Sequence, residues 1–209
     1  MAKLLYIEAS PRKNRSRSIQ VARTFLAAYQ KSRPDDSIET LDLWATSLPR
    51  FDGDTVEAKY AILQGQPHTP GQAQAWKSVV EVIEQFKSAD RYLFSLPMWN
   101  FGVPYIVKHY IDVLIQPGLT FSFDPNSGYK GLVTGKKGAA IYARGGAYGP
   151  GTGMEDYDLQ SKALAGVLGF IGLTDFVNIF VEPTLGPQEV SAAGFAKAEE
   201  LAVSTAKSF

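Results

Sequence analysis

Three short runs constrain this chain more than anything else in it: Leu4-Leu5-Tyr6-Ile7, Tyr92-Leu93-Phe94-Ser95-Leu96 and Gly138-Ala139-Ala140-Ile141-Tyr142-Ala143. Each is apolar almost throughout, where a half-exposed strand would alternate, so each reads as a strand buried on both faces. Such strands belong to parallel sheets covered by helices on either side. Segments with helical periodicity lie between them. One begins near Ser16 with the stripe Ile19, Ala22, Leu26 and Tyr29. Another opens at Thr69-Pro70-Gly71-Gln72, a capping-box pattern with Pro at the first helical position, and buries Trp76, Val79, Val80, Ile83 and Phe86. A third spans Tyr105 to Ile115, and a small-residue-rich one spans Leu159 to Leu173. Ile38 to Leu43 alternates apolar with polar, the pattern of an edge strand, and Phe176 to Val181 supplies the last strand before a final helix from Pro187 to Lys207. Residues 44 to 69 form a long connection with a helix from Asp54 to Leu63. Residues 119–135 read as an inserted hairpin or flap, turning at Asp124-Pro125-Asn126-Ser127-Gly128. No linker or repeat interrupts the alternation. Residues 1–209 are therefore expected to form one doubly wound α/β domain, a five-stranded parallel sheet of order 2-1-3-4-5 with helices on both faces.

Composition narrows the chemistry. The chain has no cysteine and only two histidines, His68 and His109, which excludes disulfides, thiolate metal sites, a Cys nucleophile and a His-rich metal centre. An enzyme with so thin a repertoire leaves its chemistry to a bound cofactor. With 21 basic and 21 acidic residues and no long basic cluster, nothing points to nucleic acid. The longest apolar stretch, Ala163 to Leu173, is too short to span a bilayer, and Met1 leads almost directly into a strand. A cytoplasmic location with no membrane partner is the expectation. His109 reads as a solvated or interface residue, and Asp35-Asp36 as solvated surface.

In the expected strand order, three loops leave neighbouring carboxyl ends and converge on one crevice, the place where open α/β sheets hold ligands. The first, Ser10 to Ser18, sets Ser10, Ser16, Arg17 and Ser18 at a helix start, where hydroxyls, N–H groups and the helix dipole favour an anion. The plainer alternative is that Ser16 only caps the helix. The second, Pro97-Met98-Trp99-Asn100-Phe101-Gly102-Val103-Pro104, offers apolar surface around an Asn amide, suited to a flat heteroaromatic ligand or, alternatively, to plain packing over the core. The third, Ala143-Arg144-Gly145-Gly146 and the glycines after it, brings flexible backbone close, or is simply a mobile surface loop. A Gly-Lys-Ser/Thr phosphate loop is absent, and the first turn lacks the glycines of a dinucleotide fingerprint. What remains is a monophosphate held by hydroxyls and amides, as in a mononucleotide such as FMN.

Together these residues resemble a known family. Ala9-Ser10-Pro11-Arg12 with Arg15-Ser16-Arg17-Ser18, Pro97-Met98-Trp99-Asn100-Phe101, Lys108-His109-Tyr110-Ile111-Asp112, Pro117 to Phe121, Gly131 to Lys137, Arg144-Gly145-Gly146 and Leu168 to Gly172 are similar to the FMN-dependent NADH azoreductases, also called NADH:quinone oxidoreductases. The resemblance implies a flavodoxin-like fold, bound FMN, NADH or NADPH as co-substrate, and a homodimer with its sites at the interface. It implies a ping-pong transfer of two electrons to a small quinone or azo acceptor, with no catalytic side chain and no metal. By motif, Ser10, Ser16, Arg17 and Ser18 should bind the FMN phosphate and ribityl end. Met98, Trp99, Asn100 and Phe101 should line the isoalloxazine, and Ala143, Arg144, Gly145 and Gly146 should close its pyrimidine side. Phe123, Tyr148 and Phe170 should wall the substrate pocket, partly from the second subunit. Ala143 and Tyr148 stand where some relatives carry Ser or Thr and His. The alternative is a flavodoxin-like FMN electron carrier serving a protein partner.

Overall fold

The computed structural model describes residues 1–209. The sheet strands are β1 (Lys3–Glu8), β2 (Ser37–Asp42), β3 (Arg91–Pro97), β6 (Lys137–Ala143) and β7 (Asp175–Val181), all parallel and ordered β2-β1-β3-β6-β7. The two remaining strands, β4 (Phe121–Asp124) and β5 (Gly128–Gly131), pair antiparallel as a separate hairpin. This is the expected 2-1-3-4-5 order with the flap inserted before the fourth sheet strand. The apolar runs are the central strands because their side chains are covered from above and below: Leu4, Leu5, Ile7, Tyr92, Leu93 and Ile141 have no exposed surface. On alternating β2 only Leu41 is buried, as an edge position requires.

Six helices cover the sheet: α1 (Arg17–Ser32), α2 (Gly53–Leu63), α3 (Pro70–Lys87), α4 (Tyr105–Leu114), α5 (Leu159–Phe170) and α6 (Gln188–Ser208). On one face α3, α4 and α5 bury Trp76, Phe86, Tyr110 and Leu164, with Phe86 stacked on Tyr92 at 4.2 Å between ring centroids. On the other, α1 and α6 bury Phe25, Tyr29, Ala198 and Phe209. The capping box at Thr69 and Gln72 forms as the motif requires. Val80 is only half-buried. No helix is long and apolar enough to cross a membrane.

Two local expectations are corrected. Helix α5 stops at Phe170, short of Leu173, because Gly172 takes a left-handed φ of +105°. There the Leu173 N–H donates to the Leu168 carbonyl at 3.0 Å and the Gly172 N–H to Gly169 at 3.0 Å, the bonding of a Schellman cap. Asp36 is not a solvated carboxylate. It accepts from the Ala2 N–H at 2.6 Å and the Tyr29 hydroxyl at 2.7 Å, and pairs with Arg91 at 3.2 Å. The Ala2 N–H first, then the Tyr29 hydroxyl, hold it below the usual carboxylate range.

Candidate active site

Register decides where the site lies. Glu8 pairs with Ser95 and Pro97 with Ala143, so β1, β3 and β6 end side by side. The pairing runs on past the strands: Ala9 N–H donates to Ser95 at 2.9 Å and Met98 N–H to Ala143 at 2.8 Å. The three loops therefore start from one edge.

In the first loop, Ser10 is 1% exposed and its Oγ has no partner within the chain. A buried hydroxyl left without a partner is unfavourable by about 1–3 kcal/mol, so Ser10 keeps an unused hydrogen-bonding group at this edge. Ser16 caps α1, its Oγ accepting from the Ile19 N–H at 3.4 Å and sharing a hydrogen bond with the Ser18 Oγ at 3.1 Å. Ser16 thus caps the helix, and the first-turn N–H groups of Arg17 and Ser18, which a helix cannot pair internally, lie open beside it. The exposed Arg17 guanidinium lies over the Phe195 ring at 4.9 Å, and its Nη1–H donates to Gln20 Oε1 at 3.4 Å. Lys13 ties the loop down, reaching Glu8 at 3.0 Å and also bonding Asp42.

The second loop is a tight hairpin, a feature its sequence does not announce. Trp99 and Gly102 exchange both backbone hydrogen bonds, at 3.1 and 2.9 Å. Between them Asn100 and Phe101 have φ of 48° and 68°. Positive φ at both central positions is the type I′ pattern. Asn tolerates it and Phe does not, so Phe101 is held in a strained conformation of the kind that collects at binding sites. The Asn100 carboxamide is exposed and makes no hydrogen bond within the chain. The Phe101 ring meets Tyr157 at 5.1 Å and Tyr148 at 6.2 Å. Trp99 turns the other way, toward Trp44 at 5.9 Å and Tyr105 at 6.2 Å. Met98 is half-buried beneath the turn.

The third loop corrects the expectation for Arg144. Although it follows the strand directly, its side chain is 1% exposed and fully engaged: Asp158 at 2.8 Å, Glu182 at 3.3 Å and the Gln160 carbonyl oxygen at 3.2 Å, with Phe180 beneath the guanidinium at 4.1 Å. Its backbone is used too, by Val181 and Thr184. Arg144 is therefore a buried support of this edge, each guanidinium nitrogen already bonded within the chain. Burial raises the Asp158 carboxyl, but its bonds to Ser161 and then the Arg144 charge outweigh that and hold it below the usual range. Gln160 passes the order on: its amide donates to the Pro97 carbonyl at 2.7 Å, fixing the root of the second loop. Gly145 and Gly146 keep their N–H groups free. The later glycines are held in place: Glu155 accepts from the Gly151 and Thr152 N–H groups at 2.5 and 3.1 Å.

The predicted pocket aromatics do not all meet. Tyr148 lies with Phe101 and Tyr157, at the carboxyl edge. Phe123 packs on Tyr129 at 4.9 Å and Tyr129 on Phe170 at 5.5 Å, where the flap meets the far end of α5. That end adjoins the start of β7, which pairs with the start of β6. The 12 residues of α5 put roughly 18 Å between the groups.

The matching family model, described as flavodoxin-like fold, spans residues 2–204. An FMN-dependent NADH:quinone oxidoreductase of Desulfotalea psychrophila is 50% identical over 207 residues, covering 99% of this chain and 97% of that protein. The chain belongs to this flavodoxin-like family of FMN-dependent NADH:quinone oxidoreductases. Solved structures agree: an azoreductase from Bacillus anthracis superposes with a TM-score of 0.92 at 30% identity, covering 100% of both chains. An FMN-dependent NADH-azoreductase from the same organism, in complex with FMN, gives 0.87 at 30% identity over 99% of this chain and 100% of that one. Within this family member, sequence reasoning misses Gln160, Asp158, Glu182, Trp44 and Tyr157. Only Asp158 carries a local signal, as the N-cap of α5. His109, read as solvated or at an interface, is half-buried, its Nε2–H donating to the Pro49 carbonyl at 2.8 Å.

Proposed function

We propose that this chain is an FMN-dependent NADH:quinone oxidoreductase with azoreductase activity, taking electrons from a nicotinamide donor and passing them to small quinone or azo acceptors in a ping-pong cycle. One observation carries this reading: the unpartnered Ser10 hydroxyl at the α1 N-terminus and the unpartnered Asn100 amide in its tight hairpin share one sheet edge. The residues fit FMN. Ser10, Ser16, Ser18 and the first-turn N–H groups would hold its phosphate. Met98 and Phe101 would line the ring, and the Asn100 amide with the Gly145 and Gly146 N–H groups would meet its polar edge. When bound, FMN supplies the two-electron hydride chemistry that a chain with no cysteine and two histidines lacks. N–H donors aimed at that edge favour negative charge developing there. Phe101, Tyr148 and Tyr157 offer flat apolar surface to one planar substrate at a time, so donor and acceptor take turns. Cytoplasmic work suits a nicotinamide-dependent enzyme.

The site is completed by a second copy. Phe123 and Phe170 sit about a helix length from their own chain's hairpin, so they reach a pocket at this edge only from a partner subunit. Phe123 and Tyr129 are 60% and 65% exposed, an apolar surface that a homodimer would cover.

The test is steady-state NADH oxidation by FMN-loaded protein with a simple quinone and no protein partner, alongside light-scattering mass. Turnover by a dimer is expected. Protein that takes up no FMN would end the proposal, and flavin reduction that needs a protein acceptor would favour the electron-carrier alternative. Asn100→Leu is expected to weaken FMN about tenfold. Asn100→Gly keeps the left-handed turn and removes the amide, so wild-type affinity in the Gly variant would take the role from the amide and leave it with the turn.

A further inference from the structure

A second cleft, of about 860 Å³, opens on the other side of the hairpin, between α4 and the segment before α2. Asn100, Trp99 and Gly102 line it, so it adjoins the proposed flavin site directly. Its aromatic wall is the outward-turned Trp99 and the 65%-exposed Tyr105, with Trp44 packed edge-on to Tyr105 at 5.4 Å.

The charges in this cleft are nearly all spoken for. Lys108 holds Asp112 through both carboxylate oxygens, at 2.6 and 2.8 Å. Asp52 is turned into the start of α2, accepting from the Thr55 N–H at 3.3 Å as the helix cap. His109 is bonded to the Pro49 carbonyl. Arg50 is different: its guanidinium makes no hydrogen bond or ion pair anywhere in the chain, while its main chain is fixed on both sides. His109 holds the Pro49 carbonyl, and Thr55 Oγ1 donates to the Arg50 carbonyl at 2.8 Å. The result is a free planar cation, on anchored backbone, beside an exposed aromatic shelf.

We infer that this cleft binds the anionic end of a planar substrate, its carboxylate, sulfonate or phosphate forking onto Arg50 and its rings resting on Trp99 and Tyr105. A guanidinium suits such oxyanions because two N–H groups meet two oxygens in one plane. The inference rests on the proposed oxidoreductase reading and names its specificity-determining residue. Two substrates of that reaction carry such a group, a sulfonated or carboxylated aromatic acceptor and the dinucleotide donor.

Steady-state kinetics of FMN-loaded wild type, Arg50→Gln and Arg50→Lys separate these. The panel pairs each anionic azo dye or quinone with a neutral analogue of the same ring system, and titrates NADH separately. Arg50→Gln is expected to lower kcat/KM about five- to tenfold for the anionic member only, with the difference shrinking at high salt and partly restored in Arg50→Lys. A rise confined to the KM for NADH assigns the cleft to the donor's phosphates. Unchanged kinetics for every substrate in Arg50→Gln, with an active wild type, overturn the inference alone. A wild type inactive with all acceptors would instead sink the oxidoreductase reading.

Discussion

Arg144→Leu is expected to destabilise the fold by about 3–5 kcal/mol, because removing one partner of a buried ion pair strands the others. Asp158 and Glu182 would face each other across an apolar gap, and Gln160 would lose the group that orients it. Chemical denaturation reads the loss directly. Its pH dependence distinguishes charge from packing. The native Asp158 carboxyl is held below its ordinary value, so its stabilising contribution is present above the unfolded-state pKa and disappears as pH falls through the native one. Without Arg144 a main support for the ionised form is gone. The gap between wild type and variant should therefore narrow as pH drops below about 4. A gap that is constant down to pH 2, with both proteins folded, would assign the loss to packing against Phe180.

Gly131→Val is expected to detach the flap while leaving the FMN-binding edge intact. A Cβ at Gly131 would stand 2.3 Å from the Gly172 nitrogen and 2.3 Å from the Ile171 carbonyl carbon. Both neighbours are backbone in the Schellman turn, so no side chain can swing aside. Gly131 is required by this close approach of two chains, since its own φ is not left-handed. Overpacking of this kind is unfavourable by about 1–3 kcal/mol or more. Because the flap roots on α5 through Val133 N–H to the Ile171 carbonyl at 2.8 Å, displacing it moves Phe123 and Tyr129 away from Phe170. FMN content should match wild type while acceptor turnover and dimer mass fall. Equal turnover in a stable Gly131→Val dimer would separate the flap from the substrate pocket.

The sheet is legible because burial on both faces writes an unbroken apolar run, and edge exposure writes alternation. The positions of the three loops follow from strand order alone, and so does the departure of the loops carrying Ser10, Asn100 and Gly145 from one sheet edge. The arrangement of the side chains does not. Nothing around Arg144 announces that Gln160, 16 residues on, and Glu182, 38 residues on, will take its guanidinium. The Asn100-Phe101 turn hides because Phe is among the residues least suited to a left-handed φ, so the conformation is imposed by the surrounding structure. Phe123 and Phe170 read as pocket residues by resemblance, yet only the direction of α5 reveals how far they stand from their own chain's hairpin.

Helix α5 answers to both ends. Through Gln160 its first turn steadies the hairpin of its own chain, and at its last residue Phe170 packs against Phe121 and Tyr129 of the flap. In the proposed dimer each cavity thus borrows its hairpin from one chain and its far aromatic wall from the other. A mixed dimer, with Asn100 altered in one chain and Phe170 in the other, would gather both lesions into one cavity and leave the second whole. Inheritance of damage in this enzyme would be by cavity, not by chain.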